Sequence, residues 1–201
     1  MKATVPINEI TAVILAGGRS RRMGGIDKGL LPFQGQALIE PVITALQHQV
    51  GTILISANRN LERYRAFGQP VIADMMGEYY GPLAGIATGM HAVTTPYILA
   101  VPCDTPRLPD NLVGTLWQTL ETQQADLSVA HDGNRLQPLF ALLKRNLLPA
   151  LLAYLDAGGR KVEAWYGQQQ TAVADFSGQR AHFINLNTPE DQQALERRLV
   201  G

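Results

Sequence analysis

The stretch ITAVILAGGRSRRMGGIDKGL, residues 10–30, joins an apolar run to a segment rich in glycine and arginine. The run from Ile10 to Ala16 is apolar at nearly every position, which is typical of a strand buried on both faces of a sheet. The glycines that follow allow a ligand to approach the backbone closely and can turn N–H groups toward an anion. Because doubly wound α/β folds bind phosphates at the first turn after such a strand, the stretch predicts that fold class.

The glycine-rich segment is also the basic part of an otherwise neutral chain. It carries four cationic side chains and one carboxylate, Asp27, whereas the 17 basic and 17 acidic residues of the whole chain cancel. The cationic residues are Arg19, Arg21, Arg22 and Lys28. Clustered cations repel one another, and a bound triphosphate would offset that repulsion. We favour triphosphate binding over a solvated arginine-rich turn, because strand, glycines and charge coincide.

Two common phosphate-binding motifs are absent from this segment. A Walker A loop requires GxxxxGK[ST], whereas here Lys28 is followed by Gly29. A dinucleotide-binding fingerprint requires GxGxxG, whereas Gly17 and Gly18 are adjacent. The segment therefore indicates a different class of nucleotide-binding protein, and a Rossmann oxidoreductase is disfavoured.

Strand and helix patterns alternate along the chain after this segment. Short β-branched runs predict strands over residues 52–57, 71–73, 97–101, 126–130 and 138–143. Apolar residues at helical spacing predict helices over residues 38–50, 61–67, 83–93, 109–123 and 146–157, and a last helix from Thr188. This alternation predicts right-handed βαβ units in a single-domain, doubly wound α/β fold with a mainly parallel, mixed sheet. Since we find no repeat, low-complexity tract or linker, we assign residues 1–201 to one domain.

Composition excludes several classes of function. With a net charge of zero, the chain has no global field to attract nucleic acid or a membrane surface. Its single cysteine, Cys103, excludes an internal disulfide, and no Cys/His cluster indicates zinc. The apolar run at the N-terminus ends in arginines rather than a cleavage site, and no run reaches the length of a membrane span. We therefore expect a soluble cytoplasmic protein with neither nucleic acid nor membrane as partner.

Four separated motifs resemble those of the molybdenum cofactor guanylyltransferases, a family of nucleotidyltransferases with a Rossmann-like fold. The first is LAGGRSRRMGGIDKGLL over residues 15–31, similar to the family pattern LAGGxSxRMGxDKxLL. The others are GPLAGI over residues 81–86, PCDTP over residues 102–106 and NLNTPE over residues 185–190, in the family's order. The resemblance extends over almost the whole chain.

The resemblance implies an activity and its substrates. The chain would transfer GMP from GTP to the terminal phosphate of molybdenum-molybdopterin, release pyrophosphate and form the molybdopterin guanine dinucleotide cofactor. Mg²⁺ would be the cofactor, with Mn²⁺ able to substitute. Residues 1–108 would form mainly the nucleotide-binding half and residues 109–201 mainly the acceptor-binding half. We further expect a monomer that exchanges its cofactor with delivery and acceptor proteins.

The same resemblance assigns roles to individual residues. Catalytic roles fall to Lys28, Arg22 and Asp104, and Asp104 is also the metal ligand. Nucleotide contacts fall to Leu15, Ala16, Gly17, Gly18, Lys28, Ser56, Asp74 and Asp104. Acceptor contacts fall to Asn185 and Asn187. Mg²⁺ is held by one or two carboxylates plus phosphate oxygens, which a carboxylate directly after a strand can provide; an Asx-turn or a helix cap is the alternative for Asp104.

Ser56 departs from the family pattern, in which asparagine often occupies this position, and Asn58 is a candidate to replace that amide. Gln137-Pro138 resembles an acceptor-groove segment, and the pair Arg160-Lys161 could meet an acceptor phosphate. Both segments are weaker candidates than the nucleotide residues.

Two other functions stay open at the level of sequence. The glycine-rich segment would bind the triphosphate and not the base of the nucleotide. A cytidylyltransferase acting on molybdopterin, or on a sugar or isoprenoid phosphate, therefore fits the same segment. A non-catalytic nucleotide or cofactor carrier is the alternative of another class. A carrier needs no metal carboxylate, so Asp104 discriminates between carrier and enzyme.

Overall fold

The computed structural model of the chain describes residues 4–18, 27–75 and 80–186. Arg19, Arg21, Arg22 and Asn187 lie outside the described residues, as does the last helix predicted from Thr188. The strands are β1 (Ile10–Leu15), β2 (Pro32–Phe33), β3 (Gln36–Ala37), β4 (Thr52–Ser56), β5 (Val71–Ile72), β6 (Tyr97–Pro102), β7 (Leu127–His131), β8 (Leu136–Lys144) and β9 (Thr171–Asp175). The α-helices are α1 (Ile39–Leu46), α2 (Leu61–Arg65), α3 (Pro82–Ala92), α4 (Leu112–Thr122), α5 (Leu148–Asp156) and α6 (Val162–Tyr166).

A seven-stranded sheet in the order β5-β4-β1-β6-β8-β7-β9 forms the centre of the protein. β4 and β6 pair in parallel with β1, and β5 pairs in parallel with β4. β8 is antiparallel to both β6 and β7, whereas β9 is parallel to β7. The predicted mainly parallel, mixed sheet is therefore confirmed. β2 and β3 form a separate antiparallel hairpin.

The chain changes direction across the sheet between β1 and β6. From β1 it moves outward through β4 to β5, then returns to place β6 on the other side of β1. The register pairs Leu15 with both Ser56 and Pro102, and pairs Ser56 with Ile72, so the four parallel strands end side by side. In open α/β sheets the crevice at such a switch point is where ligands bind.

Helices cover both faces of the sheet, which makes the fold doubly wound. One apolar cluster joins residues of α1, α2 and α4 to one face, and a second joins α3, α5 and α6 to the other. β1 serves both clusters, because Ile14 faces the first and Val13 the second. The continuous apolar run of β1 is thereby explained, since successive side chains point to opposite faces and both faces are buried.

Several element boundaries differ from the sequence prediction. The first helix ends at Leu46 rather than Val50, and α4 begins at Leu112 rather than Pro109. Gln49 explains both differences: its side-chain amide donates to the carbonyl of Pro109 and accepts from the N–H of Val113, so it joins the two helix ends instead of extending a helix. The hairpin of β2 and β3, helix α6 and strand β9 were not predicted.

The helices of the described residues are short. Within that part of the chain, none is both long and apolar enough to cross a membrane.

Candidate active site

The loops that leave β1, β4, β5 and β6 carry the predicted nucleotide-binding residues. Backbone hydrogen bonds continue the sheet into these loops: the N–H of Ala16 donates to the carbonyl of Ser56 at 2.8 Å, and the N–H of Cys103 donates to the carbonyl of Leu15 at 3.3 Å. The N–H of Ala57 donates to the carbonyl of Ile72 at 2.9 Å. The first residues of each loop are therefore held in register.

An ion pair joins two of the three predicted catalytic residues across this edge. Lys28 Nζ lies 3.0 Å from Asp104 Oδ2, although the residues are 76 positions apart in the chain. The Lys28 side chain is 24% exposed and that of Asp104 is 11% exposed. An ion pair that is largely shielded from water interacts more strongly than one on an open surface.

The other carboxylate oxygen of Asp104 fits a metal ligand. Oδ1 is buried and has no hydrogen-bond partner among the residues that the structure describes. A buried carboxylate oxygen without a partner is costly, and a cation would satisfy it. The described ranges contain no group of three or more His, Cys, Asp or Glu residues placed to hold a metal. Such a cation would therefore take its remaining ligands from water or a bound phosphate, as Mg²⁺ commonly does.

A second polar group surrounds Asp74, at the ends of β4 and β5. Ser56 Oγ donates to Asp74 Oδ1 at 3.0 Å, and Asn58 Nδ2 donates to Asp74 Oδ2 at 2.7 Å. The backbone N–H of Asp74 returns a bond of 2.9 Å to Asn58 Oδ1. The structure thus brings Ser56, Asn58 and Asp74 together, and Asn58 supplies an amide beside Ser56.

Gly17 lies directly against this group. A Cβ atom at Gly17 would lie 3.0 Å from Asn58 Nδ2 and 3.7 Å from Asp74 Oδ2. Arg59 Nη2 donates to the carbonyl of Gly18 at 3.1 Å. A side chain at position 17 would therefore press on the Asn58 amide that orients Asp74.

Gly85 of α3 packs against the same group from the other side. A Cβ atom there would lie 2.8 Å from Leu15 Cδ2, 2.9 Å from Ser56 Oγ and 3.6 Å from Asp74 Oδ1. The glycine in the GPLAGI motif thus lets α3 approach the strand ends. This contact gives a structural reason for the glycine at position 85 of the GPLAGI motif.

Replacing Gly85 by alanine should reduce the free energy of unfolding by about 1–3 kcal/mol, because the added methyl overpacks Leu15 and Ser56. The matched control is Gly114→Ala in α4, where a Cβ atom would meet nothing within 4 Å. That change should raise stability by about 0.5–1 kcal/mol, since alanine favours a helix interior. Urea unfolding of both variants measures the difference, and equal stabilities would contradict the packing described for Gly85.

Asn185 lies beside the Asp104 loop. Thr105 Oγ1 donates to Asn185 Oδ1 at 2.8 Å, and the N–H of Leu186 donates to the carbonyl of Asp104 at 2.9 Å. The segment before the predicted last helix is thereby attached to the carboxyl end of β6. Asn187, the other predicted acceptor residue, is not among the described residues.

The weaker acceptor candidates occupy two other places. Gln137 is buried and its amide donates to Asp132 Oδ2 at 2.8 Å. Burial opposes ionisation of Asp132, but N–H groups of Arg135 and Asn134 and the Gln137 amide outweigh it and lower the pKa of Asp132. The group thus stabilises the β7–β8 turn. Arg160 donates to the carbonyls of Leu155 and Gly159 and lies 4.2 Å over the ring of Tyr80.

Sequence reasoning missed the residues around Asp27. Asp27 is 7% exposed; it accepts from Tyr64 Oη through Oδ1 and from Asn60 Nδ2 through Oδ2 at 3.2 Å. Burial, followed by the nearby Cys103 and Asp27, raises the pKa of Tyr64, so its hydroxyl remains a donor. No local pattern around Tyr64 indicates this contact, because it depends on how α2 packs against the sheet.

Comparison with known proteins identifies the family. The sequence profile described as "MobA-like NTP transferase domain" matches residues 12–191. The chain belongs to the MobA-like NTP transferase family. The predicted resemblance is confirmed, and the chain is a nucleotidyltransferase.

Relatives of this MobA-like NTP transferase agree in sequence and in fold. A molybdenum cofactor guanylyltransferase of Shewanella sediminis is 50% identical over 192 residues, 96% of this chain and 98% of its own length. A molybdopterin-guanine dinucleotide biosynthesis protein A of Archaeoglobus fulgidus superimposes with a TM-score of 0.78 at 20% identity, over 94% and 98% of the chains. A Mycobacterium tuberculosis protein in complex with manganese superimposes with a TM-score of 0.65 at 14% identity, over 92% and 97%.

Cys103 of this MobA-like NTP transferase precedes Asp104 and lies beside the turn that carries Gly29, where a Cβ atom would be 3.3 Å from its Sγ. It is 6% exposed, and burial, together with the charges of Asp104 and Asp27, raises the pKa of its thiol well above the ordinary value. The reactive form of cysteine is the thiolate, so this thiol has the properties of a small buried apolar group and not of a nucleophile.

Proposed function

We propose that this protein transfers GMP from GTP to the terminal phosphate of molybdenum-molybdopterin, releasing pyrophosphate and forming the molybdopterin guanine dinucleotide cofactor. The observation that carries the proposal is the Lys28–Asp104 pair at the switch point between β1 and β6, with one buried carboxylate oxygen left for a cation. The 50%-identical relative named molybdenum cofactor guanylyltransferase supports the choice of substrates.

In the proposed reaction an oxygen of the acceptor phosphate attacks the α-phosphorus of GTP. A new P–O bond forms there, and the bond from the α-phosphorus to the bridging oxygen breaks, so pyrophosphate leaves with that electron pair. A phosphate monoester is largely ionised near neutral pH, so no general base is needed. Catalysis then consists of positioning and of stabilising charge.

The residues of the chain divide these tasks. Backbone N–H groups of Gly17 and Gly18 would hold the phosphates beside Leu15 and Ala16, since the Ala16 N–H already donates to the carbonyl of Ser56. Lys28 with Arg22 would neutralise charge that grows on the leaving pyrophosphate. Lys28 Nζ lies 3.0 Å from Asp104 Oδ2, which supports placing both residues in one site.

Asp104 is the proposed ligand of Mg²⁺, with Mn²⁺ able to substitute. Its buried Oδ1 and the absence of any larger acidic or histidine cluster in the described ranges support a metal held jointly by this carboxylate and the nucleotide. When bound, the ion would neutralise phosphate charge and act as a Lewis acid.

Asp74 and Ser56 are proposed to contact the nucleoside of GTP. Each Asp74 oxygen accepts one bond within the protein, from Ser56 or Asn58, and has a further lone pair for a donor on the ligand. Ser56 stands where the family pattern often has asparagine. Asn58 would supply the missing amide by orienting Asp74.

Residues of the second half are proposed to bind the acceptor. Asn185 and Asn187 supply amide groups that suit a pterin edge, and Asn185 is attached to the Asp104 loop through Thr105. Residues 1–108 would thus bind the nucleotide and residues 109–201 mainly the acceptor, in one cytoplasmic monomer that receives and passes on its cofactor by contact with other proteins.

Pyrophosphate release with GTP, CTP, ATP or UTP tests the proposal directly. We expect release with Mg²⁺ and GTP only when a molybdopterin-type acceptor is present, and no release when the metal is chelated or the acceptor omitted. Preference for CTP would move the chain to the cytidylyl branch of the fold. No release with any nucleotide, using an acceptor of verified integrity, would favour a non-catalytic carrier.

A further inference from the structure

The carboxylate of Asp27, the residue before Lys28, is buried and hydrogen-bonded within the protein. It is 7% exposed, and its two oxygens accept from Tyr64 Oη and Asn60 Nδ2, both in the segment that follows β4. A buried carboxylate is costly unless donors surround it. The positions available to Asp27 are therefore determined by Tyr64 and Asn60.

Asp27 and Lys28 are consecutive, and the backbone between them is fixed by a turn. The N–H of Leu30 donates to the carbonyl of Asp27 at 3.1 Å, and the N–H of Leu31 donates to that of Lys28 at 3.1 Å, which closes the 3-10 helix Lys28–Leu30. Fixing the Asp27 side chain therefore fixes where the Lys28 side chain starts.

The turn also lies close to both Tyr64 and the segment that carries Asp104. A Cβ atom at Gly29 would lie 2.7 Å from Tyr64 Oη and 3.3 Å from Cys103 Sγ. The hydroxyl thus contacts the turn on one side, and the turn contacts the residue before Asp104 on the other. A side chain at position 29 would therefore displace Tyr64 or the turn that carries Lys28.

We propose that Tyr64, acting through Asp27, is a positioning residue that holds Lys28 against Asp104. The inference rests on the proposed roles of Lys28 and Asp104 in GMP transfer. Lysine has a long side chain with many rotamers, so its placement depends on a fixed backbone origin. Tyr64 touches neither substrate nor metal in this scheme; its hydroxyl sets the geometry of a residue that does.

The expected kinetic effect follows from what Lys28 would do. Charge on the leaving pyrophosphate is greatest in the transition state, so a displaced Lys28 lowers kcat more than it raises KM for GTP. Misplacement by about 1 Å can cost on the order of 10²-fold in rate. For Tyr64→Phe, which removes only the hydroxyl, we expect kcat to fall about 10- to 100-fold with KM for GTP within about threefold of wild type.

A double-mutant cycle distinguishes positioning from a general structural role. Tyr64→Phe is measured in the wild-type protein and in the Lys28→Ala variant, as single-turnover pyrophosphate release with GTP and acceptor. If Tyr64 acts through Lys28, its loss changes the rate by less than about twofold once Lys28 is gone. Equal losses in both backgrounds would overturn the proposal.

Two further variants complete the experiment. Tyr97→Phe is the matched control, because Tyr97 lies at the amino end of β6, whereas Asp104 follows its carboxyl end. This variant should keep the wild-type rate. Asn60→Gly removes the other donor to Asp27. The variant should fold, because Asn60 is exposed and its φ of 52° is a backbone conformation that glycine adopts readily. It should lower kcat about 3- to 10-fold, again only when Lys28 is present.

The variants also separate failure of the inference from failure of the proposed function. An inactive wild type under all conditions would reject the function itself. An active wild type with a normal Lys28→Ala rate would reject the role of Lys28. If Tyr64→Phe does not fold, the Asn60→Gly variant provides the test. A wild-type rate of pyrophosphate release in Asn60→Gly would overturn the positioning role, as would an equal loss of rate in the Lys28→Ala background.

Discussion

Replacing Asp104 by alanine should lower the rate of pyrophosphate release about 10²–10³-fold and leave the fold intact. The change removes both the partner of Lys28 and the proposed metal carboxylate, which is 8% exposed as a residue. The fold should survive because the Lys28 side chain is 24% exposed, so its ammonium can turn to solvent instead of remaining buried without a partner.

Steady-state kinetics across a range of Mg²⁺ concentrations measures this effect. Asp110→Ala serves as the matched control, because Asp110 is an exposed aspartate six positions along the chain and has no role in the proposed site. Its rate should equal that of the wild type. If Asp104→Ala retained more than about a tenth of the wild-type rate while folded, Asp104 could not hold an essential metal.

Lys28→Ala should also lower kcat, by about 10²–10³-fold, because charge on the departing pyrophosphate loses its nearest fixed cation. Without Lys28, Asp104 keeps a buried carboxylate with neither oxygen paired in the described structure. We therefore expect a second effect, a changed dependence on Mg²⁺, since the cation becomes the only partner available to that carboxylate.

The measurement compares kcat and KM for GTP with those of Lys144→Ala. Lys144 ends β8 and pairs with Tyr97 at the amino end of β6, away from the proposed site. It has its own ion pair with Asp126 at 3.9 Å. This control should be active at the wild-type rate. A Lys28→Ala protein with unchanged kcat and only a raised KM would show that Lys28 binds the ground state and does not act in the transition state.

The grouping of the residues predicted to bind nucleotide could be inferred from the sequence for a simple geometric reason. Ser56, Asp74 and Asp104 each follow an apolar run by at most two residues, and such runs in alternation with helices form parallel strands. The ends of parallel strands meet at one edge, so residues far apart in the chain could be placed together without any knowledge of side-chain packing.

The contacts between side chains were not accessible in the same way. Tyr64 and Asp27 are 37 residues apart, and Tyr64 is the buried residue of a five-residue helix that shows only a weak pattern. Strand β9 lies at the end of the sheet, where Val173 is 48% exposed, so it lacks the continuous apolar run of the central strands. Edge strands and tertiary hydrogen bonds leave little local signal.

The reversed strand β8 has a consequence for how the protein is made. β8 covers the free side of β6, yet its residues, Leu136–Lys144, are synthesised about 34–42 residues after Pro102, the last residue of β6. At ordinary translation speed the nascent chain therefore exposes an apolar, unpaired strand edge for about 2–8 s. Such an edge can pair with neighbouring chains. The free side of β6 is paired only after Lys144 has left the ribosome, so protection of the growing chain by chaperones matters most in that interval.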